Sequence, residues 1–247
     1  MIKKLPQAWS YSRLADYDRC PQLFKFKHIE KRPEPSNPAM ERGQRIHGLA
    51  ETALLKPRSK IHQDLMRLQK EIALLRKLKA EPEAQLTFID QFKGKTGWFD
   101  KAAWCRIKVD AVARVTYSEA LEEIAPAEVK EGKGGQLSRL SPGRWVVDWK
   151  TGQFRPERSH DQVDLYALGS FLDDHVAEFV IVTLAFVDFG RVVHAYYDNP
   201  KRVAAMRTKW LKRIGPMQQD VKFKPKPGPQ CAWCFFSSKK GGPCQAG

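Results

Sequence analysis

No run of this sequence is apolar for long enough to span a bilayer. Its most apolar run, Phe179 to Val187, has the length of a buried strand. The opening Met1-Ile2-Lys3-Lys4-Leu5-Pro6 carries no apolar core of a secretory signal, so a cytoplasmic protein is expected. Acidic residues are scarce: 28 Asp and Glu stand against 43 Lys and Arg, a net charge of +15. That imbalance favours a polyanionic partner, nucleic acid before membrane, because the basic residues are scattered and do not line one amphipathic helix. Cysteines number only five, an odd count with three crowded near the C-terminus, which excludes a disulfide framework and suggests ligation. Internal repeats are absent. A nucleotide-binding loop is absent too: Gly94-Lys95-Thr96 has the right ending, but Ile89 stands where the first glycine must be. A chain of 247 residues can still bury a full core.

What is present alternates helix and strand. A helix starts at Trp9-Ser10-Tyr11-Ser12-Arg13-Leu14, capped by Ser10 or Ser12, with Leu14, Tyr17 and Phe24 as its apolar stripe and Cys20-Pro21 as a break. After a proline-rich loop from Glu30 to Pro38, a helix over Met40 to Leu55 places Ile46, Leu49, Ala50, Ala53 and Leu54 on one face. His47 and Glu51 are four apart on it, so Glu51 is a candidate to hold the imidazole. The spacing Ile61, Leu65, Leu68, Ile72, Leu75 predicts a longer helix over 61–78, packed on the core with a solvated basic face. Strands are expected over Ala84 to Ile89 and Trp104 to Val115, the second carrying Asp110. Glu83, just before the first, is a further acid that could lie near a site. The polar stretch Ser118 to Gly143 reads as a hairpin loop or small insertion. A helix follows around Val163 to Leu172 with Gln162 and Tyr166 four apart. Two strands turn at Asp188-Phe189-Gly190, a basic helix covers Pro200 to Ile214, and a Pro- and Lys-rich linker starts at Lys222.

The chemistry concentrates in Arg144-Trp145-Val146-Val147-Asp148-Trp149-Lys150-Thr151-Gly152. As a strand it turns Val146, Asp148 and Lys150 to one face and the two tryptophans with Val147 to the other. An acid and a lysine side by side among apolar neighbours suit cation binding and the placing of a water or growing phosphate charge. An edge strand with an ordinary ion pair reads the same way in isolation.

The ordered set resembles the RecB-like branch of the PD-(D/E)XK nuclease superfamily. It runs from Trp9-Ser10-Tyr11-Ser12-Arg13-Leu14, Tyr17 and Cys20-Pro21 through Arg42-Gly43, His47, Asp110, Asp148-Trp149-Lys150-Thr151-Gly152, Gln162 and Tyr166 to Cys231, Trp233, Cys234 and Cys244. The resemblance implies an α/β fold: a central mixed β-sheet flanked by helices, a restriction-endonuclease-like core over 1–221, and a small cysteine-bearing tail over 222–247 packing back near Cys20. It implies Asp110, Asp148 and Lys150 as the catalytic group, and His47, Asp110 and Asp148 as ligands of Mg²⁺ or Mn²⁺. Gln162, Tyr166, Glu51 and Arg42 would support the site or the DNA. Cys20, Cys231, Cys234 and Cys244 would hold a [4Fe-4S] cluster or zinc, against the alternative of free thiols on a mobile tail. The activity implied is a metal-dependent DNA exonuclease for recombination, repair or phage DNA processing, acting alone or with a helicase or recombination protein in trans, in a bacterial host cytoplasm if phage-encoded. A structure-selective endonuclease and a catalytically silent DNA-binding module are the alternatives. The second acid is aspartate where the superfamily more often has glutamate.

Overall fold

The computed structural model describes residues 8–131, 137–198 and 202–246. In chain order the elements begin with α1 (Tyr11–Arg19), then α2 (Pro21–Phe24), which continues as a π turn over Lys25–Ile29. Next come α3 (Pro38–Leu55), α4 (Gln69–Lys77), β1 (Glu81–Phe88), β2 (Cys105–Thr116), α5 (Tyr117–Glu119), α6 (Pro126–Glu131) and β3 (Pro142–Lys150). The chain ends with α7 (His160–Asp173), β4 (Phe179–Phe186), β5 (Arg191–Tyr197) and α8 (Arg202–Gln219). The expected start of the last helix at Pro200 lies outside the described residues.

The five strands form one mixed sheet in the order β1-β2-β3-β4-β5, the α/β arrangement expected. β2 and β3 are antiparallel, β3 and β4 parallel, β4 and β5 antiparallel. A parallel pair needs a crossover, and α7 supplies it between β3 and β4. The β4–β5 hairpin closes through Gly190 at φ +59, where a Cβ would stand 2.9 Å from that of Arg67.

By packing, the chain divides into two units. The larger comprises the described residues of Asn37–Leu86 and Ile107–Met206. Its core lies on one face of the sheet: Trp145, Val147 and Trp149 of β3 and Ile181 and Ala185 of β4 meet Ile46, Ala50 and Ala53 of α3 and Ile72 and Leu75 of α4. Each such aliphatic chain, fully buried, contributes roughly 1.5–3 kcal/mol before entropy is charged against it. The opposite face carries Asp148 and meets α7, whose Tyr166 reaches that carboxylate. α3 forms where expected because Asn37 caps it, accepting from the Met40 N–H at 3.0 Å, with Pro38 in the first turn.

One expectation changes here and another is decided. The helix over 61–78 is in fact a 3₁₀ segment, Gln63–Leu68, running into α4. Leu65 and Leu68 are three apart, the 3₁₀ repeat, and both are buried; Leu68 leaves helical geometry at φ −117, ψ 26. The stretch after β2, expected as a hairpin loop or small insertion, is an insertion that is helical over most of its described residues as far as Glu131. Thr116 and Glu119 make a reciprocal capping box, and Ala120, Ile124, Ala125 and Val129 join the core.

The smaller unit takes residues 8–36, 87–106 and 207–246. Ser10 caps α1, its hydroxyl accepting from Arg13 N–H. Trp9 packs on Phe92, Trp104 and Trp210 at ring separations of 6.0, 5.7 and 5.9 Å. Its backbone exchanges hydrogen bonds with Trp104 and Arg106, both 2.9 Å. Tyr17 donates to Asp220 at 2.9 Å, and Phe26 meets Phe236 at 5.4 Å.

Candidate active site

β3 brings Asp148 and Lys150 to the face that α7 covers, and one connected set of hydrogen bonds results. Tyr166 donates its hydroxyl to Asp148 Oδ1 at 2.9 Å. Gln162 places its amide nitrogen 2.6 Å from the Tyr166 hydroxyl and 3.4 Å from Asp148 Oδ1, while its carbonyl accepts from Lys150 Nζ at 2.8 Å. Lys150 Nζ also lies 2.6 Å from Asp148 Oδ2. Gln162 and Tyr166 face the same way because four residues nearly complete a helical turn. Burial, with the Asp148 and Asp110 carboxylates nearby, pushes the Tyr166 phenol well above its ordinary value, so it stays protonated and remains a donor.

Asp110 arrives from β2. The β2–β3 ladder runs as far as Ala111 opposite Val147; beyond it, Asp110 Oδ2 accepts the Trp149 N–H at 2.7 Å. The carboxylate therefore caps the ladder and is locked against β3. Its Oδ1 is 3.0 Å from His47 Nδ1 of α3. The imidazole's partner is thus Asp110; Glu51 lines the open cleft beside it, with Gly43, Glu83 and Lys108. Burial first, then the neighbouring Asp148 carboxylate, raises the Asp110 pKa against the opposing pull of His47. The hydrogen bond to Asp110 raises that of His47.

His47, Glu83 and Asp110 each offer one ligand atom within 4.8 Å of the other two, the only such trio among the described residues. Glu83 stands in β1 at φ +54, a left-handed value unusual for a non-glycine residue in a strand, and pairs with Lys108. Its place near the site comes from sheet order, which no local spacing announces.

A divalent cation fits these residues. Asp148 is 3% exposed and Asp110 8%, two buried carboxylates, the charge of Asp148 acting on Asp110. Asp148 Oδ2 accepts no well-directed hydrogen bond, Lys150 approaching it as an ion pair only. A hard cation satisfies both conditions, and oxygen donors with one imidazole suit Mg²⁺ or Mn²⁺.

Arg42 lies elsewhere in this unit, paired with Asp188 in the β4–β5 turn. The role of Asp188 has no signal in the sequence beyond its place in a turn. It also accepts the Gly152 N–H at 2.7 Å, and its carbonyl accepts from Arg67. Gly152, at φ +85, turns the chain directly after Lys150, so Asp188 fixes that turn.

In the smaller unit Cys20, Cys231, Cys234 and Cys244 line one cavity, closed by Leu23, Phe26 and Phe236. Cys105 stands apart, fully buried. The Lys226 N–H donates to Cys20 Sγ at 3.4 Å, and Cys244 donates to Gln22 at 3.3 Å.

The sequence from 8 to 238 matches the PD-(D/E)XK nuclease superfamily. The chain belongs to that family and is a nuclease, whose members act on nucleic acid phosphodiesters with divalent metals. Comparison with curated protein sequences gave no match. Among solved structures it is similar to SSO0001, at 18% identity and a TM-score of 0.40, covering 98% of this chain and 88% of that one. It is also similar to a "Putative exonuclease" from Eubacterium rectale, at 12% identity and a TM-score of 0.49, covering 92% and 87%. The family membership rests on the sequence match. No helix among the described residues is long and apolar enough to cross a membrane.

Proposed function

We propose that the chain is a metal-dependent deoxyribonuclease of the RecB-like branch, an exonuclease serving recombination, repair or phage DNA processing in the cytoplasm. The observation that carries this reading is the closed set Asp148–Lys150–Gln162–Tyr166 beside the Asp110–His47 pair. His47, Asp110 and Asp148 would hold Mg²⁺ or Mn²⁺, with Glu83 in reach. When bound there, the cation supplies Lewis acidity toward water and a phosphoryl oxygen. The protein's own share is positioning and charge. Tyr166 and Gln162 aim the Asp148 carboxylate, and the Trp149 N–H aims that of Asp110. Lys150, held between Asp148 and Gln162, presents its ammonium to the attacking water or to the negative charge that grows on the phosphate. With no nucleotide-binding loop in the sequence, the enzyme would act alone or with a helicase or recombination protein in trans.

Functionally the chain divides into the nuclease domain, 1–221, and the cysteine tail, 222–247. The tail with Cys20 would hold a [4Fe-4S] cluster, whose role is to fasten the fold. The four thiols line one cavity with Leu23, Phe26 and Phe236, and four thiolates suit such a cluster or, as the alternative, zinc. Cys234→Ser in anaerobically purified protein is expected to lower the melting temperature by several degrees and to bleach the charge-transfer colour. An unchanged melting curve with unchanged iron content speaks against Cys234 as a ligand, and wild type purified without iron speaks against the cluster.

The activity is tested by incubating the anaerobic protein with end-labelled linear and covalently closed circular DNA, with Mg²⁺, Mn²⁺ or chelator. Loss of the linear form alone, dependent on metal, is the expected result. Cutting of the circle points to an endonuclease, and no cutting of either, with binding retained, points to a DNA-binding protein or to an enzyme that waits for a partner.

A further inference from the structure

The catalytic face continues past Lys150 into a row of aromatic and basic side chains. Lys150, Phe186 and Arg191 are in register on three adjacent strands, so they share one face and one row. Phe154, four residues beyond Lys150, sets its ring 4.6 Å from that of Phe186. The Arg191 guanidinium sits 4.1 Å over the Phe154 ring. Phe189 at the hairpin tip meets Phe154 at 5.8 Å yet is 47% exposed.

An exposed ring on a floppy turn means little, but this turn is held. The Phe189 N–H donates to Phe186 at 3.1 Å, while Asp188 binds Gly152, Arg42 and Arg67. The ordering of the ring is already achieved before any ligand arrives. Arg191, over the Phe154 ring, and Arg155, next to Phe154 in the chain, are both exposed, which favours an anionic ligand. Two strand spacings separate the Arg191 strand from that of Lys150, roughly 10 Å. That is the span of a few nucleotides at the roughly 3.4 Å rise of a stacked strand.

We propose that Phe189, backed by Phe154, is a stacking subsite for one unpaired nucleobase of the strand being cut, with Arg191 and Arg155 on the flanking phosphates. The enzyme therefore prefers single-stranded or frayed DNA ends. This rests on the reading of the chain as a DNA nuclease and adds the substrate's form to it. Bases in a closed duplex offer no free face to such a ring, whereas any unpaired base does.

The test measures binding of the full-length protein to a fluorescent single-stranded oligonucleotide and to a blunt duplex, in chelator so that nothing is cut. Phe189→Ala is expected to weaken single-strand binding roughly 5- to 150-fold, the range for loss of one base–aromatic stack, and to leave duplex binding and the melting curve unchanged. Phe189→Trp keeps the affinity. Single abasic sites placed along the strand should reveal one position that costs wild type as much as Phe189→Ala does, and that costs the variant nothing further. Equal weakening on both DNAs, additive losses, or no loss in Phe189→Ala overturns the subsite. Cleavage by wild type in Mg²⁺ or Mn²⁺ is scored separately. Stacking without cleavage leaves the subsite standing and removes the nuclease reading; cleavage with no Phe189 effect does the reverse.

Discussion

Asp148→Ala is expected to abolish cleavage, lowering kcat by roughly 10³-fold or more, while DNA binding in chelator and the melting temperature stay near wild type. The size follows from losing a cation worth several kcal/mol of transition-state stabilisation, at 1.36 kcal/mol for each factor of ten. The carboxylate is 3% exposed, Tyr166 and Gln162 fix its Oδ1, and its Oδ2 meets only Lys150. Removing it frees a phenol, an amide and an ammonium at once, but also removes a buried negative charge that repels Asp110. These two effects on stability oppose each other, which is why folding survives where turnover does not. End-label release with Mg²⁺ measures the effect; a variant that cuts at the wild-type rate would falsify the assignment of Asp148.

The largest loss of stability is expected from Trp145→Ala. Trp145 is 1% exposed on the other face of the same strand, in the core between the sheet and α3 and α4. Its Nε1–H donates to Thr183 Oγ1 at 2.8 Å, and Thr183 is also bonded to His194 at 2.8 Å. Truncating a buried tryptophan costs about 3–5 kcal/mol, and losing a donor to a buried hydroxyl adds to it. Urea unfolding would register the drop as a lower midpoint. Activity per folded molecule should fall much less than in Asp148→Ala, because the indole touches none of the site's polar groups. A midpoint within error of wild type would mean that the core closes over the gap.

The two predictions concern residues three apart on one strand, and their opposition is legible in the amino-acid order itself. Alternation in a strand turns 145, 147 and 149 one way and 146, 148 and 150 the other, so core and chemistry separate on parity alone. Gln162 and Tyr166 are legible for a related reason, the helical repeat. The same repeat finds α3, and its observed start at Pro38, ahead of the expected Met40, reflects the cap that Asn37 provides. Less local features do not show. The spacing of His47 and Glu51 suggests a pair, but the imidazole turns to Asp110, 63 residues away in sequence, because strand order decides what lies beside α3. Asp188 looks like an ordinary turn residue, and only tertiary packing makes it the anchor for Gly152, Arg42 and Arg67. The 3₁₀ segment before α4 satisfies the same apolar spacing as an α-helix, so the pattern of leucines alone does not separate them.

Trp9 draws its partners from residues 92, 104 and 210, so the smaller unit is a knot of contacts between segments far apart in the sequence. Each of those contacts closes a long loop, and the entropy of closing it must be met before the packing offsets it. The β4–β5 hairpin, by contrast, joins neighbours in sequence across one short turn. The tryptophan cage is therefore a late event in folding and the hairpin an early one, whatever their final stabilities.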